Sequence, residues 1–189
     1  MREITGNLFS HNTDGPDAIC ITTNGWTKRD GSCVMGRGCA DQAKKRWPGI
    51  EHTLGIHLER GNHLYLLTHV EGRQIVLPVL GRHFEVPYHI VSFPVKPVDC
   101  SWEDLLPRFQ ATSTKTSLGR HPGWMSQAKP ELIISSAKAL SKVADTLSWN
   151  GIVIPRPGCG AGGLNWKNIK PLLEEILDDR FYIIDFPKR

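Results

Sequence analysis

The chain has 189 residues, of which 40% are hydrophobic and 22% charged, and its formal net charge is +4. That length suits one domain burying roughly 70% of its unfolded surface, and the composition excludes the disordered, collagenous and disulfide-rich classes. No apolar run approaches the roughly 18 to 20 residues of a membrane span, and Met1-Arg2-Glu3-Ile4 does not open a signal peptide, so a cytoplasmic protein without a membrane partner is expected.

Apolar periodicity predicts strands at Arg2–Ile4 and Ala18–Thr22. The second strand leads to a glycine cluster, Gly31-Ser32-Cys33-Val34-Met35-Gly36-Arg37-Gly38-Cys39-Ala40, and to a basic helix predicted over Gly38–Trp47. Such a turn exposes backbone N–H groups at a helix N-terminus, where unpaired donors and the positive end of the helix dipole favour an anion. Its spacing approaches a nucleotide-hydrolysing phosphate loop. However, Arg37 stands where the phosphate-clamping lysine belongs, and Gly38 where Ser or Thr would hold magnesium.

Strands follow at His63–Val70 and Arg73–Leu80, with Glu71-Gly72 as the hairpin turn between them, which predicts a partly antiparallel, mixed sheet. After a strand at His89–Phe93 and a helix at Ser101–Phe109, the stretch from Gln110 to Ala128 has neither period. It reads as an irregular segment inserted at about 98–128. Arg108, Lys115, Arg120, His121 and Trp124 fall here, mixing basic groups with an indole that can stack on a base, so nucleic acid is a candidate partner.

The helix predicted at Lys129–Ser148 carries Leu132, Ile133, Ser136, Ala139, Leu140, Val143 and Leu147 at a spacing fit for packing on a sheet. Next come a strand at Gly151–Ile154, a second cluster, Pro157-Gly158-Cys159-Gly160-Ala161-Gly162-Gly163, a helix at Trp166–Asp179 and a strand at Phe181–Asp185. Gly158-x-Gly160-x-x-Gly163 followed by Asp185 matches a dinucleotide fingerprint, yet too few residues remain after Asp185 to complete that fold. Alternating strands and helices imply a three-layer α/β/α architecture around a mixed central sheet. Two anion loops at the carboxyl ends of strands suggest one ligand with two phosphates, such as a diphosphate-linked nucleoside.

The five cysteines, Cys20, Cys33, Cys39, Cys100 and Cys159, are odd in number and dispersed, without Cys-x-x-Cys or Cys/His zinc spacing. Reduced thiols and no metal site are expected.

Several strings together resemble the macrodomain family: Gly6-Asn7-Leu8-Phe9; Asn24; Met35-Gly36-Arg37-Gly38-Cys39-Ala40 with Gln42 and Lys44; Phe93-Pro94-Val95-Lys96; and Pro155 through Trp166. The likeness covers nearly the whole chain except about 98–128, and within the family it is greatest to the branch of the DarG antitoxin and the terminal ADP-ribose protein glycohydrolase. It implies one macrodomain over 1–189, acting as a monomer, with ADP-ribose as ligand and product and no further cofactor. Cys33, Val34, Met35, Gly36, Gly38, Cys39 and Ala40 would lie along the diphosphate and distal ribose. Pro157, Gly158, Cys159, Gly160, Ala161, Gly162 and Gly163 would wrap the other side.

Asn7, followed by Leu8, occupies the place of the aspartate that binds the adenine amino group in many members. By the same resemblance Lys96 is the catalytic residue and Asn24 orients the distal ribose, although Trp26-Thr27-Lys28-Arg29-Asp30 lengthens the connection from Asn24 to Gly36. Gly162 replaces an aspartate of the human enzyme's loop, which makes the DarG-like pattern the nearer one. The expected activity is hydrolysis of ADP-ribose from modified DNA or protein at the distal ribose, by a lysine and without a metal. The alternatives are an ADP-ribose reader without chemistry and an ADP-ribose 1″-phosphate phosphatase.

Overall fold

The computed structural model describes residues 1–10, 15–60, 74–77, 82–101, 103–105 and 121–186, with the backbone alone for 74–77 and 82–85. In chain order the elements are β1 (Arg2–Thr5), β2 (Ala18–Asn24), α1 (Gly38–Arg46), α2 (Ile50–Glu59), β3 (Gln74–Leu77), β4 (Arg82–Glu85) and β5 (His89–Lys96). They continue with β6 (Asp99–Cys100), β7 (His121–Pro122), a 3-10 turn (Gly123–Met125), α3 (Pro130–Thr146), β8 (Ile152–Pro155), α4 (Trp166–Glu174) and β9 (Phe181–Asp185).

Five strands form one sheet in the order β1-β9-β8-β2-β5, and every pairing in it is parallel. Parallel sheets need cover on both faces, and the strand residues divide accordingly. Ile19, Ile21, Ile90, Val153 and Ile184 pack with Ala43, Ile50 and Leu54 of α1 and α2. Ala18, Cys20, Val91, Phe93, Ile152, Ile154 and Ile183 pack on the opposite face with Ile133, Leu140, Ile169 and Leu173 of α3 and α4. The three layers read from the sequence are present.

The details differ in four places. Among the described residues the main sheet is parallel, and antiparallel pairing is confined to the separate β3–β4 and β6–β7 pairs. The strand predicted at His63–Val70 and the Glu71-Gly72 turn lie outside the described residues, as do Arg108, Lys115 and Arg120. Residues 103–105 form a turn after Ser101, in which Ser101 N donates to the Asp104 carboxylate at 3.0 Å and Asp104 N to Ser101 Oγ at 3.3 Å, a reciprocal pair of the capping-box kind; the rest of the helix predicted there lies outside the described residues. The α2 helix was not foreseen. Pro48-Gly49 and Gly55 read as breakers, yet Gly55 is required there, since a Cβ would lie 1.8 Å from the Gly31 carbonyl oxygen. Finally, α3 is rotated from the predicted face: Ile133, Ser136, Ala137, Leu140 and Ala144 are buried, while Leu132, Val143 and Leu147 are half-buried.

Candidate active site

Because the strands of the main sheet run the same way, their carboxyl ends share one edge, the edge where open α/β sheets place their ligands. Asn24, Lys96, Pro155 and Asp185 end β2, β5, β8 and β9, and all four line a cleft of about 1160 Å³. Gly36, Arg37, Gly38, Cys39 and Ala40 form part of its wall, and Gly158 through Gly163 form another.

At one end of the cleft the register brings two distant residues together. Thr23 pairs with Pro94, and the next pair is Asn24 with Lys96, so Val95 is an extra residue, a β-bulge. Proline cannot donate to a ladder, and the register shifts directly after Pro94. Bulges re-aim side chains at sites of this kind. Lys96 is 8% exposed, and its Nζ donates to the main-chain carbonyl of Trp124 at 2.9 Å.

Asn24 is 9% exposed. Its Nδ2 donates to the Val34 carbonyl at 2.6 Å, and its Oδ1 accepts from the Trp26 amide at 3.0 Å. The side chain thus anchors both ends of the lengthened loop between β2 and α1. One N–H and one lone pair remain available to a ligand.

The first glycine cluster divides in two. Cys33 is fully buried; its amide donates to Glu51 O at 2.8 Å, which pins the chain to α2. Met35 is also core. From Gly36 onward the chain faces the cleft, and α1 starts without a side-chain cap on its amides. Its first-turn N–H groups and the positive end of its dipole therefore stand at the cleft wall.

The second cluster is a self-folded turn. Leu164 N donates to Gly158 O at 2.9 Å, Gly163 N to Gly160 O at 3.1 Å, and Ala128 N to Gly162 O at 3.0 Å. A Cβ on Gly162 would stand 2.2 Å from the Gly158 oxygen, so the backbone itself excludes any side chain at this position. This cluster is not the start of α4, which is capped by Asn165 Oδ1 accepting from Lys167 N at 3.0 Å.

Asn7, Leu8, Cys33, Met35 and Pro157, expected as ligand contacts, do not line the cleft. Asn7 is exposed, and its Oδ1 already accepts from the Phe9 amide at 3.0 Å; Leu8 lies wholly in the core. The sequence reading also left out part of the lining, namely Thr22, Thr23 and a cluster at another part of the cleft comprising Arg156, Trp166, Asp185 and Phe186. Arg156 binds Asp185 at 2.6 Å and Glu3 at 3.2 Å and lies over the Trp166 ring, which ties the ends of β8, β9 and α4 to β1. The signal that could have found these residues is their position at strand ends.

Besides Lys96, the cleft holds two nucleophilic groups, the thiols of Cys39 and Cys159. Burial pushes Cys159 up to about 11 and raises Cys39 as well, despite its bonds to Thr22. Both are thiols at neutral pH, and thiols are poor nucleophiles. Among the described residues no helix is long and apolar enough to cross a membrane.

At the sequence level, no family profile and no curated protein matches the chain. Solved structures do. The macrodomain of Mycobacterium tuberculosis DarG superposes with a TM-score of 0.64 at 20% identity, over 100% of this chain and 97% of that one. The macrodomain of Thermus aquaticus DarG gives 0.63 at 21% identity, over 98% and 97%. Thermosipho africanus DarTG in complex with ADP-ribose gives 0.65 at 16% identity, over 100% of this chain but 43% of the larger one. A likeness at these identities speaks for architecture, and the architecture of this chain is that of the macrodomains.

Proposed function

We propose that this chain binds ADP-ribose in the cleft and hydrolyses it from modified DNA or protein at the distal ribose, with Lys96 as the catalytic residue. One observation carries the reading: the bulge after Pro94 sets Lys96 beside Asn24, in a cleft walled by an uncapped helix N-terminus and a glycine turn. The solved DarTG, part of which shares this fold, is in complex with ADP-ribose and supports the ligand. The diphosphate lies between the amides of Gly36 to Ala40 and those of Gly158 to Gly163.

In the chemical step the unprotonated Lys96 amine adds to the anomeric carbon of the distal ribose after ring opening, and the bond to the acceptor breaks as the acceptor takes a proton. Water then cleaves the lysine adduct, releasing ADP-ribose and restoring the amine. The bond to Trp124 O fixes where the Lys96 amine sits in the cleft. Asn24 holds the loop that borders the ribose and offers it the remaining N–H.

Lys96→Ala is expected to retain ADP-ribose binding by calorimetry and to lower release from labelled DNA and protein by at least about 10²-fold. Full release by that variant removes Lys96 from the mechanism. A reader without chemistry is favoured by one observation, the engagement of both polar ends of Asn24 by the loop backbone. Tight ADP-ribose binding by the unaltered chain with no release from either substrate selects it.

A further inference from the structure

The α3 helix buries Ile133, Ser136, Ala137, Leu140 and Ala144, and Ser136 is the polar residue among them. It is 3% exposed and does not line the cleft. Alanine would fill the same place with a better helix propensity, so packing gives no reason for a hydroxyl there. A serine inside a helix often turns its hydroxyl back to the carbonyl one turn earlier. Here Oγ donates across the layer instead, to the carbonyl of Pro94 at 2.8 Å.

Pro94 O is the acceptor just before the bulge. The next carbonyl, Val95 O, accepts from the Lys129 amide at 2.9 Å, and Lys129 is the N-cap of α3. One helix therefore grips the bulge twice, at its own start and again at Ser136. A peptide group is planar, so a hydrogen bond to its oxygen orients the whole unit. Pro94 O belongs to the unit that enters Val95, and Val95 O to the unit that leaves it for Lys96. With both units oriented, φ and ψ of Val95 are fixed, and with them the direction in which the Lys96 side chain leaves the main chain. The Lys129 donor is main chain and survives any substitution except proline. The Ser136 donor is a side chain and can be removed.

We propose that Ser136 is a positioning residue for Lys96, acting from the α3 layer by setting the bulge that aims the lysine into the cleft. This rests on the reading of Lys96 as the catalytic residue. The ligand does not meet Ser136, so its removal falls on the chemical step and spares binding.

The test compares the unaltered chain with Ser136→Ala, Ser136→Cys and Ser136→Thr, using free ADP-ribose for binding and ADP-ribosylated DNA and protein for release. Alanine removes the donor, and cysteine keeps the size with only a weak donor. Both are expected to lower kcat about tenfold, while KM and the calorimetric Kd for ADP-ribose stay within about twofold. Ser136→Thr keeps the hydroxyl and is expected to recover most of kcat. Full kcat in the alanine or cysteine variant overturns the proposal. So does a joint fall in kcat and ADP-ribose affinity, which marks general damage to the fold. A threonine variant with normal ADP-ribose affinity and no better kcat than alanine overturns it too.

An amide N–H correlation spectrum separates this role from the hydrolase reading. The Val95 and Lys96 resonances are expected to move in Ser136→Ala and to return in Ser136→Thr, whether or not the chain is a hydrolase. If the unaltered chain releases no ADP-ribose, the hydrolase reading falls; resonances that move still support the hold of Ser136 on the bulge, and resonances that stay in place overturn it.

Discussion

The two glycine loops line one cleft and are built on opposite principles. From Gly36 to Ala40 the first is open, with nothing within 4 Å of a Cβ at Gly36 or Gly38, and it leads into the uncapped start of α1. The second is closed on itself, with Gly158 and Gly162 in backbone contact and α4 capped separately by Asn165. Glycine therefore does different work in each: in the first it clears space for a ligand, and in the second it lets main chain meet main chain. Composition alone does not separate the two.

Substitutions should separate them. The largest effect is expected at Gly162→Ala, where the collision with Gly158 O forces the turn open; a loss of about 3 kcal/mol in denaturant unfolding is predicted. Stability equal to the unaltered protein would refute the self-folded turn. Gly36→Ala should do the reverse, leaving the unfolding midpoint unchanged and weakening ADP-ribose binding about tenfold by calorimetry, or about 1.4 kcal/mol, because its methyl enters the ligand's space. Unchanged affinity would move the diphosphate elsewhere.

Asn165→Ala removes the cap of α4 and should cost about 1 kcal/mol of stability, with ADP-ribose affinity unaffected. The smallest effect concerns Glu3, which accepts from Lys170 at 2.5 Å and from Trp166 Nε1 at 2.8 Å and so braces α4 behind the second loop. Its bonds to Lys170 and Trp166 hold its carboxyl below the ordinary 4.5. A depressed acid stabilises the fold while ionised, so its contribution is complete above that pH and is lost as pH falls through the folded value. The difference in stability between the unaltered protein and Glu3→Gln should be widest above pH 4.5 and close in acid. A difference that grows on acidification would show that the brace is not ionic.

Much of the layered architecture was legible in the sequence because strand and helix periods survive in short windows: β9 at Phe181–Asp185 and α1 from Gly38 emerge where periodicity placed them. The site was legible as separate strings. Nothing local to Asn24 or Lys96 says that they are neighbours; that follows from a register set by β2 and β5 and shifted by one proline. Nor could local pattern reveal that Cys33 and Met35 turn inward, because α2, against which Cys33 is pinned, was hidden by Pro48, Gly49 and Gly55. Exposed amides were expected at the helix start after both glycine clusters; α1 begins without a side-chain cap, whereas α4 is capped by Asn165, which was quoted only as part of a motif. That capping bond depends on backbone geometry which residue identity alone does not give.

Lys96 donates to a main-chain oxygen, that of Trp124. Every amino acid carries that oxygen, so position 124 can change its side chain without letting go of the lysine. The hold on Lys96 and the surface presented at position 124 are therefore independent of one another.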